Sequence, residues 1–129
     1  MNPKECKYTQ EHEWVRLESE NKGKVGITDY AQSGLGDITF IGLPAPGTQV
    51  KQFKKLGEIE AVKVYSDIFS PVSGQVLEIN QAVIDKPQLV NQDPYGDGWL
   101  VSLEISQPAE LDALMNSEQY DRFVTELPK

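Results

Sequence analysis

The stretch that most constrains the fold of this chain is an apolar run, residues 59–69, with one lysine, Lys63, near its middle. The run is rich in β-branched and aromatic residues, which favour β-strands. Pro71 and Gly74 follow it and indicate turns. By pattern alone we predict one long strand over residues 59–69. A long amine inside such a strand must extend out of the core or stand on an exposed part of the fold.

The order of residues around Lys63 indicates more than a solvated surface lysine, which is the usual state of lysine in proteins. Residues 60–74 read Glu-Ala-Val-Lys-Val-Tyr-Ser-Asp-Ile-Phe-Ser-Pro-Val-Ser-Gly. This order resembles the lipoyl-lysine hairpin of the glycine cleavage system H protein family. The resemblance implies a hairpin with Lys63 at its apex. The pattern does not place a turn there, because Val62 and Lys63 are not the Asn-Gly or Gly residues that tight hairpins favour.

The resemblance continues over most of the chain, from Tyr8 to Phe123. The other matching blocks are 11–15 (Glu-His-Glu-Trp-Val), 26–32 (Gly-Ile-Thr-Asp-Tyr-Ala-Gln), 35–38 (Leu-Gly-Asp-Ile) and 94–100 (Pro-Tyr-Gly-Asp-Gly-Trp-Leu). It implies a mainly β fold, a barrel-sandwich hybrid of the lipoyl/biotinyl type with two antiparallel sheets. A short helix near residues 29–35 and helices at the C-terminus complete this expectation.

Local patterns support the same fold class. Short strands separated by turn residues favour a β-sandwich or barrel. We predict a hairpin from strands ending near Leu17 and starting near Val25, and a short helix that Asp29 caps. Residues 1–7 are expected to be loose. The predicted segments that remain are strands at 38–41, 75–80 and 99–105, an irregular connection at 80–98, and two helices after residue 108.

Composition limits the kinds of partner. The chain has 129 residues and a net charge of −8, and length predicts one domain over residues 1–129. Nucleic acids and anionic membranes attract basic surfaces, so neither is an expected partner. The single cysteine, Cys6, forms no internal disulfide and suits a reducing compartment. No apolar leader begins the chain, so we predict a cytoplasmic protein, and a monomer.

The resemblance implies that Lys63 carries lipoate through an amide and that the chain is a non-catalytic carrier. The lipoyl arm would shuttle an aminomethyl group and reducing equivalents. Tethering raises the concentration of such an arm at each partner's active site. The implied partners are lipoate-attaching enzymes, glycine decarboxylase, an aminomethyltransferase that serves tetrahydrofolate, and dihydrolipoamide dehydrogenase.

Three further residues are candidates for contacts with the arm or its load. Glu13 and Asp67 match family positions whose carboxylates can hold a cationic amine, although each could instead be an ordinary surface or turn carboxylate. His12 lies beside Glu13 and is expected to titrate near neutral pH. With one histidine and no cluster of ligand residues, no metal site is predicted.

Several alternatives remain open at this point. Gly42, the Ser33-Gly34 pair and the Val64-Tyr65 pair depart from the family pattern. A related class, the lipoate-binding proteins of sulfur-oxidising prokaryotes, would carry sulfur intermediates to a heterodisulfide-reductase-like complex. A biotinyl carrier is a further alternative, although the methionines of its motif are absent. An enzyme is another alternative, but we find no catalytic triad and no phosphate-binding glycine loop. The last alternative is a purely structural adaptor, which would apply if Lys63 is unmodified in its native host.

Overall fold

Short strands that are apolar on one face must pair into sheets and cover that face. The computed structural model describes residues 2–127. Within them the strands are β1 (Cys6–Tyr8), β2 (Glu13–Leu17), β3 (Lys22–Ile27), β4 (Ile38–Gly42), β5 (Gln49–Val50), β6 (Lys55–Ala61), β7 (Tyr65–Phe69), β8 (Gly74–Ile79) and β9 (Val101–Ile105). The helices are α1 (Asp29–Leu35), α2 (Gln81–Asp85), α3 (Gln88–Gln92), α4 (Ser117–Thr125) and a 3-10 helix (Pro108–Ala113).

The strands form two antiparallel sheets. The larger has the order β1-β2-β3-β9-β8-β5, and the smaller has the order β4-β6-β7. The predicted hairpin is the β2–β3 pair, in which Val15 lies opposite Val25. The fold class predicted from the sequence is therefore confirmed.

The main core lies between the two sheets. Val15, Val25 and Leu103 of the larger sheet are buried in one cluster with Ile41 and Ile59 of the smaller sheet. Leu103 and Ile59 are each followed by an exposed glutamate, but Trp14, next to Val15, is buried as well. The larger sheet is therefore covered on part of both faces, because successive side chains of a strand point to opposite faces. The core therefore fixes which face of the β6–β7 hairpin points inward.

A second, aromatic cluster joins the C-terminal helix to the larger sheet. Tyr8, Trp14 and Tyr120 are fully buried in it together with Cys6. The rings of Tyr8 and Tyr120 stack with centroids 4.6 Å apart. The apolar face of α4 thus packs on the protein itself, as its helical spacing predicts.

The N-terminal prediction was wrong in part. Residues 6–8 form β1, an edge strand in which Cys6 lies opposite Arg16. The Cys6 side chain is buried although polar residues flank it, and this burial raises the pKa of its thiol to about 11. This thiol therefore stays protonated at neutral pH.

Two other local predictions need correction. The connection at 80–98 contains α2 and α3, which begin after Asn80 and Pro87 and bury Val83 and Val90. Helix α1 is capped by Thr28 rather than Asp29, because the Thr28 side chain accepts a hydrogen bond from the Ala31 N–H at 3.2 Å. No helix within residues 2–127 combines the length and apolar character needed to cross a membrane.

Candidate functional site

Lys63 lies in the loop between β6 and β7, so the pattern-based prediction of one strand over residues 59–69 was wrong and the hairpin is observed. The Ala61 N–H donates to the Val64 carbonyl oxygen at 2.8 Å, which closes the loop. The Val62 N–H donates to the Asp37 carbonyl oxygen at 3.2 Å. Neither Val62 nor Lys63 has a positive φ. The hairpin therefore turns without the left-handed residues that tight turns use.

The side chains at this loop are exposed. Lys63 is exposed, and 71% of Val62 and 45% of Val64 is open to solvent. Within residues 2–127, the Lys63 amine has no hydrogen-bond or ion-pair partner, whereas Lys55, at the other end of the hairpin, pairs with Glu58 and Asp67. The amine is therefore on an exposed side chain at the end of the hairpin.

A cleft of about 240 Å³ lies at the base of this hairpin. Ser66 of β7 is three residues from Lys63, roughly 10 Å along an extended strand. Apolar and small groups from α1 and the two sheets form most of the wall of this cleft. The lining includes Glu11, His12, Glu13, Ile27, Tyr30, Ala31, Gly34, Leu35, Ile59, Ser66, Asp67 and Ile68. An acyl chain on Lys63 could reach this apolar cleft.

Glu13 is the buried carboxylate of the cleft, with only 2% of the residue exposed. Its Oε1 accepts a hydrogen bond from the Thr9 hydroxyl at 2.6 Å, and its Oε2 accepts one from the Phe69 N–H at 3.1 Å. Burial raises its pKa to about 7, against the lowering effect of these two bonds. The surface-carboxylate interpretation of Glu13 was wrong. A cation that enters the cleft would stabilise its ionised form.

Asp67 lies at the rim of the same cleft and is already paired. Its Oδ1 is 3.3 Å from Lys55 Nζ, and its side chain is 39% exposed. Lys55 also lies 4.0 Å from Glu58, and the Tyr65 hydroxyl donates to Glu58 at 3.0 Å. Asp67 is therefore a screened, partly neutralised carboxylate, unlike Glu13.

His12 lies at the floor of the cleft in a left-handed conformation, with φ of 72°. Its Nδ1 is 2.7 Å from the Tyr120 hydroxyl, and its ring packs on Tyr30 at 4.6 Å between centroids. Burial lowers its pKa from the ordinary value, opposed by Glu11. The ring is therefore neutral at neutral pH, and it titrates at a lower pH than we predicted from the sequence.

A larger cavity of about 410 Å³ lies on the other side of Glu13. Thr9 and Phe69, which hold the Glu13 carboxylate, line it together with Phe53 and Leu114. Its lining lacks His12, Glu13 and Asp67, the candidate residues that line the smaller cleft, so we assign the candidate site to the smaller cleft.

The sequence did not indicate three residues that organise the site: Thr9, Lys55 and Tyr120. Thr9 precedes Glu13 by four residues, which is a weak signal for a local side-chain contact. The ring of Tyr120 lies on the apolar face of α4, which helical spacing can indicate, but that spacing gives no information about its hydroxyl. Within residues 2–127, no three His, Cys, Asp or Glu side chains are grouped to hold a metal ion.

Known proteins are similar to this chain in both sequence and fold. The family model described as Glycine cleavage H-protein matches residues 6–127. A glycine cleavage system H protein from Carboxydothermus hydrogenoformans is 50% identical over 124 residues, covering 96% of this chain and 95% of the relative. Another with the same name, from Symbiobacterium thermophilum, is 49% identical over 124 residues and covers 96% of each chain.

A solved structure is similar over nearly its whole length. The crystal structure of a glycine cleavage system H protein from Mycobacterium marinum has a TM-score of 0.87 and 35% sequence identity, covering 96% of this chain and 99% of that chain. The family match, the full-length relatives and the shared fold agree. This chain therefore belongs to the glycine cleavage H-protein family.

Proposed function

We propose that this chain is the lipoyl carrier protein of a glycine cleavage system and that lipoate is attached to Lys63. The observation that supports this most directly is an exposed lysine amine, without a partner in the described residues, on a loop whose backbone is fixed by hydrogen bonds. An enzyme that forms an amide needs both access to the amine and one defined geometry of the loop. Lys63 meets both requirements.

The surroundings of Lys63 fit a long acyl arm. Forming an amide removes the charge of the amine, and this disrupts no ion pair within residues 2–127, because the ion pairs of the hairpin are made by Lys55. The cleft offers Ile27, Leu35 and Ile59 as apolar contacts for a hydrocarbon chain and a dithiolane ring. Lipoate, when bound, supplies a disulfide that can be reduced, can carry the aminomethyl group on sulfur and can be reoxidised.

We assign the carboxylates different roles toward the load. Glu13 would accept a hydrogen bond from a cationic amine, because an opposite charge at short range favours its ionised form. Asp67 would contribute at the rim, weakened by its pair with Lys55. His12 contributes a neutral ring to the floor. Closure of the apolar wall around the amine would exclude water and slow loss of the group.

The partners follow from this role. We infer that lipoate-attaching enzymes modify Lys63 and that glycine decarboxylase, an aminomethyltransferase and dihydrolipoamide dehydrogenase then use the arm in turn. The carrier itself would catalyse none of these reactions, and residues 1–129 would act as a single domain. The predictions of a monomer and of a cytoplasmic location stay predictions.

The alternatives receive no support from the relatives described above. Those relatives are named glycine cleavage system H proteins, and nothing among them favours the sulfur-oxidation role. The family match likewise argues against a biotinyl carrier.

The experiment that tests the proposal is mass spectrometry of the protein purified from its native host. We expect the peptide that contains Lys63 to carry one lipoyl group and all other lysines to be free. We expect the glycine decarboxylase to co-purify. Unmodified Lys63 under glycine-dependent growth, or a biotinyl mass on that peptide, would refute the proposal.

A further inference from the structure

One buried hydroxyl, on the C-terminal helix, connects the floor of the cleft to its wall. The Tyr120 hydroxyl lies 2.7 Å from His12 Nδ1 and 2.8 Å from Thr28 Oγ1. Thr28 Oγ1 in turn accepts the Ala31 N–H at the start of α1. His12 belongs to the floor of the cleft and α1 forms its wall. Tyr120 does not line the cleft, but from α4 its hydroxyl contacts His12 at the floor and Thr28 at the start of the wall.

We propose that Tyr120 is a positioning residue for the cleft: its hydroxyl group holds His12 and the first turn of α1 in one hydrogen-bonded chain, and so sets the shape that receives the arm of Lys63. The part of this inference that concerns the arm rests on the proposed function. The coupling between Tyr120, His12 and α1 does not, because it is a property of the unmodified protein.

The conformation of His12 supports this role. His12 is one of two residues other than glycine with a positive φ within residues 2–127. Such a conformation persists where its surroundings determine it. The His12 N–H donates to the Thr9 carbonyl at 3.2 Å and the Thr28 N–H donates to the His12 carbonyl at 3.0 Å. These bonds fix the backbone, and Tyr120 supplies a hydrogen bond to the imidazole, whose ring also packs on Tyr30.

The chemistry of the three groups is also consistent. Burial raises the pKa of Tyr120 above its ordinary value, so its hydroxyl keeps its proton at neutral pH. A neutral imidazole presents one donor and one acceptor nitrogen. The hydroxyls of Tyr120 and Thr28 can each donate and accept. When Thr28 donates to Tyr120 and Tyr120 donates to His12 Nδ1, both hydroxyl hydrogens have an acceptor. Removing the middle hydroxyl leaves both ends without that partner.

The position of His12 makes this chain relevant to the load. His12 precedes Glu13, whose carboxylate is the buried acceptor of the cleft. His12 and Glu13 line the same cleft, so a change in the orientation of the His12 ring alters the cleft that the Glu13 carboxylate faces. Helix α4, far along the sequence, thus acts on the site through one side chain.

The test compares Tyr120→Phe with Tyr8→Phe. Both variants keep a buried ring in the same stack and lose one hydroxyl, but the Tyr8 hydroxyl donates to the Pro3 carbonyl and does not contact the cleft. Far-UV circular dichroism would establish that both are folded. His12 is the only histidine in the chain, so its NMR signals need no assignment.

In the unmodified protein, we expect Tyr120→Phe to shift the His12 ring signals toward those of a mobile side chain and to speed exchange of the Ala31 amide at least tenfold. In the lipoylated protein with a reduced arm, we expect a thiol-alkylating reagent to react severalfold faster with Tyr120→Phe than with the parent. Tyr8→Phe should match the parent in all three measurements.

Unchanged His12 signals and Ala31 exchange in Tyr120→Phe would overturn the coupling, whatever the state of Lys63. Equal changes in Tyr8→Phe would also overturn it, because they would indicate general loosening of the aromatic cluster. A changed His12 signal with unchanged arm reactivity would refute the part that concerns the arm. Absence of lipoate on Lys63 would refute the proposed function and leave the coupling measurable.

Discussion

Glu13 Oε2 accepts a hydrogen bond from the Phe69 N–H at 3.1 Å, and this contact joins the larger sheet to the base of the Lys63 hairpin. The carboxylate is buried, so its ionisation carries a desolvation cost. In the proposed function, this carboxylate receives a cation that arrives on the arm. One residue therefore links the stability of the protein to its proposed load.

Glu13 is expected to make stability fall as pH rises from about 4.5 to about 7, the interval between its ordinary pKa and its raised pKa. In that interval the folded protein holds a proton that the unfolded chain releases, so rising pH favours unfolding. The full loss is on the order of 3 kcal/mol. Glu13→Gln should remove this contribution and be at least as stable as the parent at pH 8. Urea unfolding between pH 4.5 and 8 measures the difference.

Glu20→Gln is the matched control, because Glu20 is an exposed glutamate in the turn between β2 and β3. It should retain the pH dependence of the parent. If Glu13→Gln and the parent lose the same free energy of unfolding between pH 4.5 and 8, Glu13 does not titrate as described.

Glu13→Gln should also weaken retention of a cationic group on the lipoyl arm. A neutral amide loses most of the attraction that the carboxylate offers to an ammonium group. We expect release of the amine from the loaded carrier to be about tenfold faster, the ratio that corresponds to a charge-assisted bond of about 1.4 kcal/mol. Release of ammonia over time measures this rate, with loaded Glu20→Gln as the control. Equal release rates would contradict the role of Glu13.

Much of the fold could be predicted from the sequence, because short apolar strands are separated by turns that carry glycine, proline and asparagine. The β2–β3 hairpin and α1 were predicted from such local signals. The turn at Val62-Lys63 was not, because a long-range bond from the Val62 N–H to Asp37 helps to hold it. No local pattern around Val62 reports that contact.

The site was accessible only through the resemblance. Residue type predicts an exposed carboxylate at Glu13, whereas the fold buries it and both of its oxygens accept hydrogen bonds, from Thr9 and Phe69. Asp67 carries the same type of charge, but its pair with Lys55 depends on the pairing of β6 and β7. Residue types alone cannot separate these two environments.

Helix α4 should depend on its N-terminal cap. Asn116 Oδ1 accepts the Gln119 N–H at 2.8 Å, and Gln119 Oε1 accepts the Asn116 N–H at 2.9 Å. Asn116→Ala removes one of these bonds and should cost about 1 kcal/mol of stability. Asn116→Asp keeps an acceptor oxygen and should cost much less. Thermal unfolding measures both, and equal losses would mean that the side-chain cap is unimportant.

Gly26 should be intolerant of a side chain. A Cβ at this position would lie 2.6 Å from Cζ2 of Trp14, its neighbour across β2 and β3. Trp14 is fully buried and its Nε1–H donates to the Ile27 carbonyl at 2.9 Å, so the ring has little room to move. We expect Gly26→Ala to destabilise the protein by about 1–3 kcal/mol, measured by urea unfolding.

Gly34→Ala should change the free energy of unfolding in the opposite direction in the same experiment. A Cβ at Gly34 meets nothing within 4 Å, and the residue lies inside α1. Alanine is favoured over glycine in a helix by roughly 0.5–1 kcal/mol, so this variant should be more stable than the parent. A destabilised Gly34→Ala, or a neutral Gly26→Ala, would show that the packing described here is wrong.

Lys63→Arg should separate folding from carrier function. Lys63 makes no contact that stabilises the described residues, and arginine keeps its charge and length at an exposed position. The free energy of unfolding should therefore change by less than about 0.5 kcal/mol. A guanidinium group does not form the lipoyl amide, so incubation with a lipoate-attaching enzyme should add no mass. Lys51→Arg, at another exposed lysine, should be lipoylated to the same extent as the parent. Lipoylation of Lys63→Arg, or loss of lipoylation in Lys51→Arg alone, would place the attachment at a different lysine.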